Sequence, residues 1–136
     1  MGQVKDWGSA IAKMNEAPYF RLLGMEVVEL GEGYARLVTP LDEKLNSGLG
    51  VLHGGVLSSL ADSAVAMALR TMIESEEKPI TVEMNINYLG LVQGDQAIAE
   101  ARIISRGCTI AVGDVDITDK SGRLIAKSRA TYMIVP

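Results

Sequence analysis

The chain has 136 residues, 48% of them hydrophobic and only 4% aromatic, and its formal net charge is −4 at pH 7. This length predicts a single domain spanning residues 1–136 with an aliphatic core. The acidic balance argues against a nucleic-acid-binding protein, in which a basic stripe would be expected. One histidine and one cysteine exclude an ordinary zinc site and an internal disulfide framework, so we expect no metal and no cofactor.

The N-terminal segment, residues 1–23, is expected to be helical. Residues 9–23 carry a weak amphipathic pattern that Pro18 interrupts, which predicts two short helices. The first ten residues lack the apolar core of a signal peptide, so we expect a cytoplasmic protein.

Strand-like alternation of apolar and polar residues recurs along the rest of the chain. Glycine-containing turns separate several of these stretches. The predicted strands are residues 24–30, 34–39, 80–88, 96–106, 109–118 and 123–135. In the third strand, strict alternation predicts that the apolar residues share one face, namely Ile80, Val82, Met84, Ile86 and Tyr88.

The longest nearly uncharged stretch, residues 53–73, predicts the central helix of the fold. Its apolar residues surround the helix axis, which is typical of a helix enclosed by other structure. It is too short, and too interrupted by polar residues such as Asp62, for a membrane span. One long helix with about six strands predicts an α+β domain in which a curved antiparallel sheet wraps the helix. Because one helix covers only one sheet face, we expect dimerisation to complete the burial.

Four short motifs in this chain resemble those of a known family. They are Asn46, Leu52-His53-Gly54-Gly55, Leu60-Ala61-Asp62 and Thr81-Val82-Glu83-Met84-Asn85. In this order they resemble the hotdog-fold acyl-CoA thioesterases of the phenylacetate-pathway (PaaI-like) type. The likeness extends over roughly residues 18–134. It implies the hotdog fold for the predicted α+β domain.

The resemblance implies a role for the central helix in thioester hydrolysis. Asp62 would be the general base or nucleophile, and Thr81 would hold the attacking water. Gly54 or Gly55 would donate a backbone N–H to the thioester carbonyl oxygen. Physical chemistry supports this role apart from the resemblance. A helix N-terminus offers unpaired N–H groups and a partial positive charge, both of which stabilise negative charge on a carbonyl oxygen. Without a Cβ, the two glycines allow close approach of a substrate.

The same family implies the remaining site residues and the partners. Asn46 and His53 would orient the thioester, while Arg106 and Arg129 are candidates for binding CoA phosphates. The family is dimeric or tetrameric, with acyl-CoA bound at the subunit interface. Geometry also favours shared sites, because Asp62 lies ~10 Å beyond Gly55 along one helix. Two antiparallel helices about a two-fold axis can bring one helix N-terminus to the other chain's aspartate.

Each of these residues also has a structural explanation, and two other functions stay open. Asp62 could be a carboxylate satisfied by Ser58 or Ser59, and the two glycines could allow tight packing. One alternative function is a hotdog hydratase or dehydratase, although its histidine motif differs from His-Gly-Gly. The other is a non-catalytic acyl-CoA-binding domain, against which a carboxylate embedded in the helix argues.

Overall fold

The computed structural model describes residues 6–136; residues 1–5, part of the predicted N-terminal segment, lie outside the described residues. Pro18 at the first position of the second helix separates the two short helices, as the sequence predicts. The elements in chain order are α1 (Trp7–Met14), α2 (Pro18–Leu23), β1 (Glu26–Gly31), β2 (Tyr34–Pro40), α3 (Gly54–Arg70), β3 (Lys78–Tyr88), β4 (Gln96–Arg106), β5 (Ile110–Asp119) and β6 (Leu124–Val135).

The six strands form one antiparallel sheet in the order β1-β2-β4-β5-β6-β3, which leaves β3 at an edge. The sheet meets α3 through small residues, which let the helix backbone lie close to the strands. At Gly113, an added Cβ would lie 2.8 Å from Val65 of the helix, so any side chain there would clash. The inward-facing alanines are Ala35, Ala97, Ala99, Ala101, Ala111, Ala126 and Ala130, each at most 1% exposed.

One face of α3 is buried against this sheet, and the other face is only partly covered. The buried residues are Val56, Leu57, Leu60, Ala61, Ala64, Val65, Ala68 and Leu69. Ser59, Ser63, Ala66 and Met67 are half-buried, so one chain does not enclose the helix completely. Within residues 6–136, no helix is long and apolar enough to cross a membrane. The cytoplasmic compartment stays a prediction.

A β-bulge in β3 changes the alternation that the sequence predicts. Thr81 pairs with Tyr132 of β6, but Glu83 pairs with the adjacent Thr131, so Val82 is the extra residue. After the bulge, Met84 and Ile86 pack against the core, whereas Val82 is 56% exposed. The predicted single apolar face is therefore wrong, because a bulge inverts the period-two pattern. The bulge places Thr81 on the same side of the sheet as the helix.

Candidate active site

Asp62 lies in the middle of α3 and is half-buried. The Thr81 hydroxyl donates to its carboxylate, with Oγ1 3.0 Å from Oδ1 and 3.3 Å from Oδ2. The Tyr132 hydroxyl donates to Oδ1 at 2.5 Å. The two nearby serines form their hydrogen bonds elsewhere. Ser58 donates to the Gly55 carbonyl, and the Ser59 hydroxyl is hydrogen-bonded to the Tyr19 hydroxyl. The carboxylate is thus held from the sheet and not from its own helix.

Tyr132 is a member of this cluster that the sequence analysis did not identify. Its side chain is 2% exposed, and its hydroxyl also lies 2.7 Å from the Asp62 carbonyl oxygen. Burial raises the pKa of the Tyr132 hydroxyl strongly, and hydrogen bonding to Asp62 raises it further. The hydroxyl therefore stays protonated and acts as a donor toward the carboxylate. An inward tyrosine on a terminal strand is indistinguishable in sequence from a core residue.

His53 caps the N-terminus of α3 with its own side chain. Its Nδ1 accepts the Gly55 N–H at 2.8 Å, which places the ring hydrogen of the neutral imidazole on Nε2. An added Cβ at Gly55 would lie 3.0 Å from that Nδ1, so glycine allows the ring to fold over the helix end. The Gly54 N–H takes part in no hydrogen bond within residues 6–136. Gly54 is therefore the glycine whose amide is available to a ligand.

Tyr88, at the end of β3, packs against the same helix end. Its hydroxyl donates to the Gly54 carbonyl at 2.8 Å, and an added Cβ on Gly54 would lie 3.2 Å from its ring. Beside them is a cavity of about 510 Å³, whose lining includes Asn46, Gly54, Tyr88 and residues 90–93. Asn46 is exposed, so its side chain can reach a molecule bound there. The cavity therefore joins the free Gly54 amide to the predicted orienting residue Asn46.

The wall formed by residues 90–93 is hydrogen-bonded to β6 and to the turn that precedes it. The Gly90 N–H donates to the Ile125 carbonyl at 3.1 Å. The guanidinium of Arg123 donates to the Leu91 carbonyl, and its Nε lies 3.7 Å from Oδ2 of the buried Asp119. Hydrogen bonding from Ser121 holds the pKa of that carboxyl below its usual value, against the effect of desolvation. These contacts tie this wall of the cavity to the neighbouring strand and turn.

The helix end and Asp62 are two separate groups within one chain. Gly54 and Asp62 are eight residues apart, which corresponds to ~12 Å along a straight helix. Asp62 and Thr81 do not line the cavity that contains Gly54 and Asn46. One chain therefore presents a free amide at one place and an oriented carboxylate at another.

The two arginines predicted to bind phosphate lie away from both groups. Arg129 is paired through Nε (2.6 Å) and an Nη atom (3.0 Å) with the carboxylate of Asp114. Both residues are on the sheet face opposite α3, because their strand neighbours Ala130 and Val115 are buried inward. Arg106 lies at the end of β4 and donates to the carbonyls of Gly107 and Met72.

Residues 49–126, more than half of the chain, match the family model described as the thioesterase superfamily. The chain belongs to this superfamily. Human acyl-coenzyme A thioesterase 13 is 33% identical over 125 residues, which cover 89% of each chain. The 1,4-dihydroxy-2-naphthoyl-CoA hydrolase of Listeria monocytogenes is 32% identical over 112 residues, covering 82% of this thioesterase and 91% of the relative.

The solved structures show the same fold. The PaaI protein from the phenylacetic acid degradation operon of E. coli has a TM-score of 0.85 and covers 96% of this chain and 93% of its own. At 24% identity, this likeness supports the fold alone. The predicted α+β hotdog fold and the thioester-hydrolase class are therefore confirmed, and the likeness to PaaI is one of fold. The roles of individual site residues stay predictions.

Proposed function

We propose that this thioesterase hydrolyses acyl-CoA thioesters to a free acid and CoA, with Asp62 as the general base or nucleophile. The observation that carries the proposal is that Asp62, in the middle of the long helix α3, has its carboxylate held by the hydroxyl of Thr81 on β3. Two of the relatives are named for the hydrolysis of CoA thioesters. General-base or nucleophilic catalysis requires a carboxylate held in one orientation, and the hydroxyls of Thr81 and Tyr132 hold this one.

The Gly54 N–H is the proposed donor to the thioester carbonyl oxygen. It is free while the Gly55 N–H is occupied by His53, and it lies at the positive end of a 17-residue helix. Negative charge developing on the carbonyl oxygen would therefore be stabilised by an amide that needs no rearrangement. Asn46, which lines the same cavity as Gly54, and His53, which caps the same helix end, would orient the thioester. Thr81, beside Asp62, would hold the attacking water.

We propose a homodimer, or a tetramer built from such dimers, in which β3 of each chain pairs with β3 of the other. The support is the open edge of β3 and its exposed apolar residues, Ile80 at 48% and Val82 at 56%. A two-fold axis at this edge brings the two α3 helices side by side and antiparallel. Gly54 of one chain could then meet Asp62 of the partner subunit, which the ~12 Å separation within one helix does not allow.

The activity is tested by following free thiol release from benzoyl-, phenylacetyl- and hexanoyl-CoA with a thiol reagent. We expect turnover of at least one ester well above the rate in buffer, and the order of kcat/KM identifies the acyl group. Aromatic esters belong in the panel because one relative is a 1,4-dihydroxy-2-naphthoyl-CoA hydrolase. Binding of CoA esters without thiol release would instead indicate a non-catalytic acyl-CoA-binding domain.

Arg106 and Arg129 remain the proposed contacts for the CoA phosphates. A phosphate at Arg129 must share the guanidinium with Asp114, whose pKa that guanidinium holds below its usual value. Arg106→Ala and Arg129→Ala are each expected to raise KM several-fold with a smaller effect on kcat, and added salt should do the same. The control is Arg36→Ala, since Arg36 is a half-buried arginine that is also paired with a carboxylate, that of Glu29 at 3.2 Å. An unchanged KM in both test variants would exclude these two positions.

A further inference from the structure

We propose that Tyr132 is a positioning residue for catalysis: its hydroxyl anchors Oδ1 of Asp62 and leaves Oδ2 as the oxygen that reacts. This inference rests on the proposed function of Asp62. It adds which of the two carboxylate oxygens reacts and which residue fixes the orientation of the carboxylate. As a base, Oδ2 takes a proton from the water whose oxygen bonds to the thioester carbon; as a nucleophile, Oδ2 bonds to that carbon itself. In both cases the C–S bond then breaks and CoA leaves as a thiolate that takes up a proton, and in the second case water hydrolyses the acyl anhydride to regenerate the carboxylate.

The two carboxylate oxygens have different surroundings. Oδ1 accepts from Tyr132 at 2.5 Å and from Thr81 at 3.0 Å, whereas within residues 6–136 Oδ2 accepts only from Thr81, at 3.3 Å. Hydrogen bonds to an ionised acceptor are short and strong, so the Tyr132 contact dominates the orientation. The less engaged Oδ2 retains the lone pairs that a base or nucleophile needs.

The fold places the two donors next to each other. Thr81 and Tyr132 are directly paired residues on β3 and β6, and both point toward α3. The bulge at Val82 allows Thr81 to face the helix while Met84 and Ile86 still pack inward. Tyr132 reaches the helix at one residue, since its hydroxyl lies 2.7 Å from the carbonyl of Asp62 as well. The hydroxyl has one hydrogen to share between these two acceptors, and its shorter distance, 2.5 Å, is to the carboxylate.

Charge at the cluster favours the same role. Within the described chain Asp62 forms no ion pair, and Tyr132 is the titratable side chain hydrogen-bonded to it. A buried, protonated hydroxyl can stabilise the carboxylate anion by a hydrogen bond and adds no charge of its own. A lysine or arginine in its place would add a positive charge that cancels the negative charge of the carboxylate. The carboxylate of Asp62 is thus fixed in direction by a neutral donor.

The test is Tyr132→Phe, which keeps the buried ring and removes one oxygen. We expect kcat to fall about tenfold to hundredfold, as for loss of a hydrogen bond to a charged group, with KM nearly unchanged. The acid limb of the kcat–pH profile should move to higher pH, because an anion that loses a donor is protonated more readily. Tyr34→Phe is the matched control, since the Tyr34 hydroxyl also donates to a carboxylate, that of Glu100 at 2.6 Å, on the opposite sheet face.

The outcomes separate this inference from the proposed function. If Asp62→Asn remains active, the role of Asp62 fails; if Asp62→Asn is inactive and Tyr132→Phe matches Tyr34→Phe in kcat and pH profile, only the role of Tyr132 fails. A measurement on folded Asp62→Asn protein covers the case in which Tyr132→Phe does not fold. With Cζ-labelled tyrosine, the NMR signal of Tyr132 should shift between wild type and Asp62→Asn while that of Tyr34 stays. A Tyr132 signal that does not respond overturns the proposal.

Discussion

Replacing Asp62 with asparagine is expected to lower kcat by roughly two orders of magnitude or more, as for the loss of a general base. The amide has the same shape, but it cannot take a proton from water or form an acyl intermediate as a carboxylate can. The melting temperature should hold or rise, since a charge is removed from a half-buried position where neutral donors surround it. Thiol release and thermal unfolding on the same sample measure both effects.

Asp116→Asn is the matched control for this experiment. Asp116 is an exposed aspartate paired with Lys127 at 2.7 Å, on the outer face of the sheet. We expect its substitution to leave kcat unchanged, because nothing at that position reaches the helix. Turnover close to wild type in folded Asp62→Asn protein would contradict the assignment of Asp62.

The fold was predictable because its signals are local. Alternating strands separated by glycine turns, and one long apolar helix, each follow from residues close together in sequence. The bulge at Val82 was not predictable in this way, since it depends on the register between β3 and β6. A single extra residue reverses which side chains face the helix. The sequence therefore located β3 correctly but misassigned its faces.

Some residues of the candidate site were also predictable from the sequence, and others were not. Asp62 stands out because a carboxylate in an apolar helix is unusual, and the structure brings it to Thr81. Tyr132 carries no such signal, since 70 residues separate it from Asp62 and it occupies an ordinary inward position of a strand. The distinction between Gly54 and Gly55 also required coordinates, because it depends on where the ring of His53 folds.

The pairing of Arg129 is another case that sequence alone does not reveal. Arg129 and Asp114 are directly opposite each other on β6 and β5, a cross-strand relation that only the register establishes. A cation that looks available in sequence is thus already bound to a carboxylate in the fold. The KM measurement on Arg129→Ala decides whether a phosphate shares this guanidinium.

Removal of the Gly54 amide hydrogen is expected to lower kcat about 10²–10³-fold, the effect of losing one oxyanion donor. Gly54→Pro makes this change with little disturbance of the helix, because proline is favoured at the first helical position. The preceding His53 has an extended backbone, with φ −63° and ψ 134°, which proline accepts. Gly54→Ala is the matched control: it introduces the same Cβ near Tyr88 but retains the N–H.

A dimer made of one Gly54→Pro chain and one Asp62→Ala chain tests whether each active site is built from two chains. In a mixed dimer of the two single variants, one site contains both defects and the other contains neither. Purified with two different affinity tags, this mixed dimer should recover about half of the wild-type activity although both parents are inactive. If each chain instead contained a complete site, every site in the mixed dimer would carry one defect and no activity would return.

The reciprocal dimer gives the opposite expectation and excludes a trivial recovery of folding. It pairs a wild-type chain with a chain carrying both Gly54→Pro and Asp62→Ala. With shared sites, each site receives one defective component, so this dimer should be nearly inactive. With sites contained in one chain, the wild-type chain should keep about half of the activity. An active reciprocal dimer together with an inactive dimer of the single variants would overturn the shared-site proposal, and with it the pairing of Gly54 with Asp62 of the partner subunit.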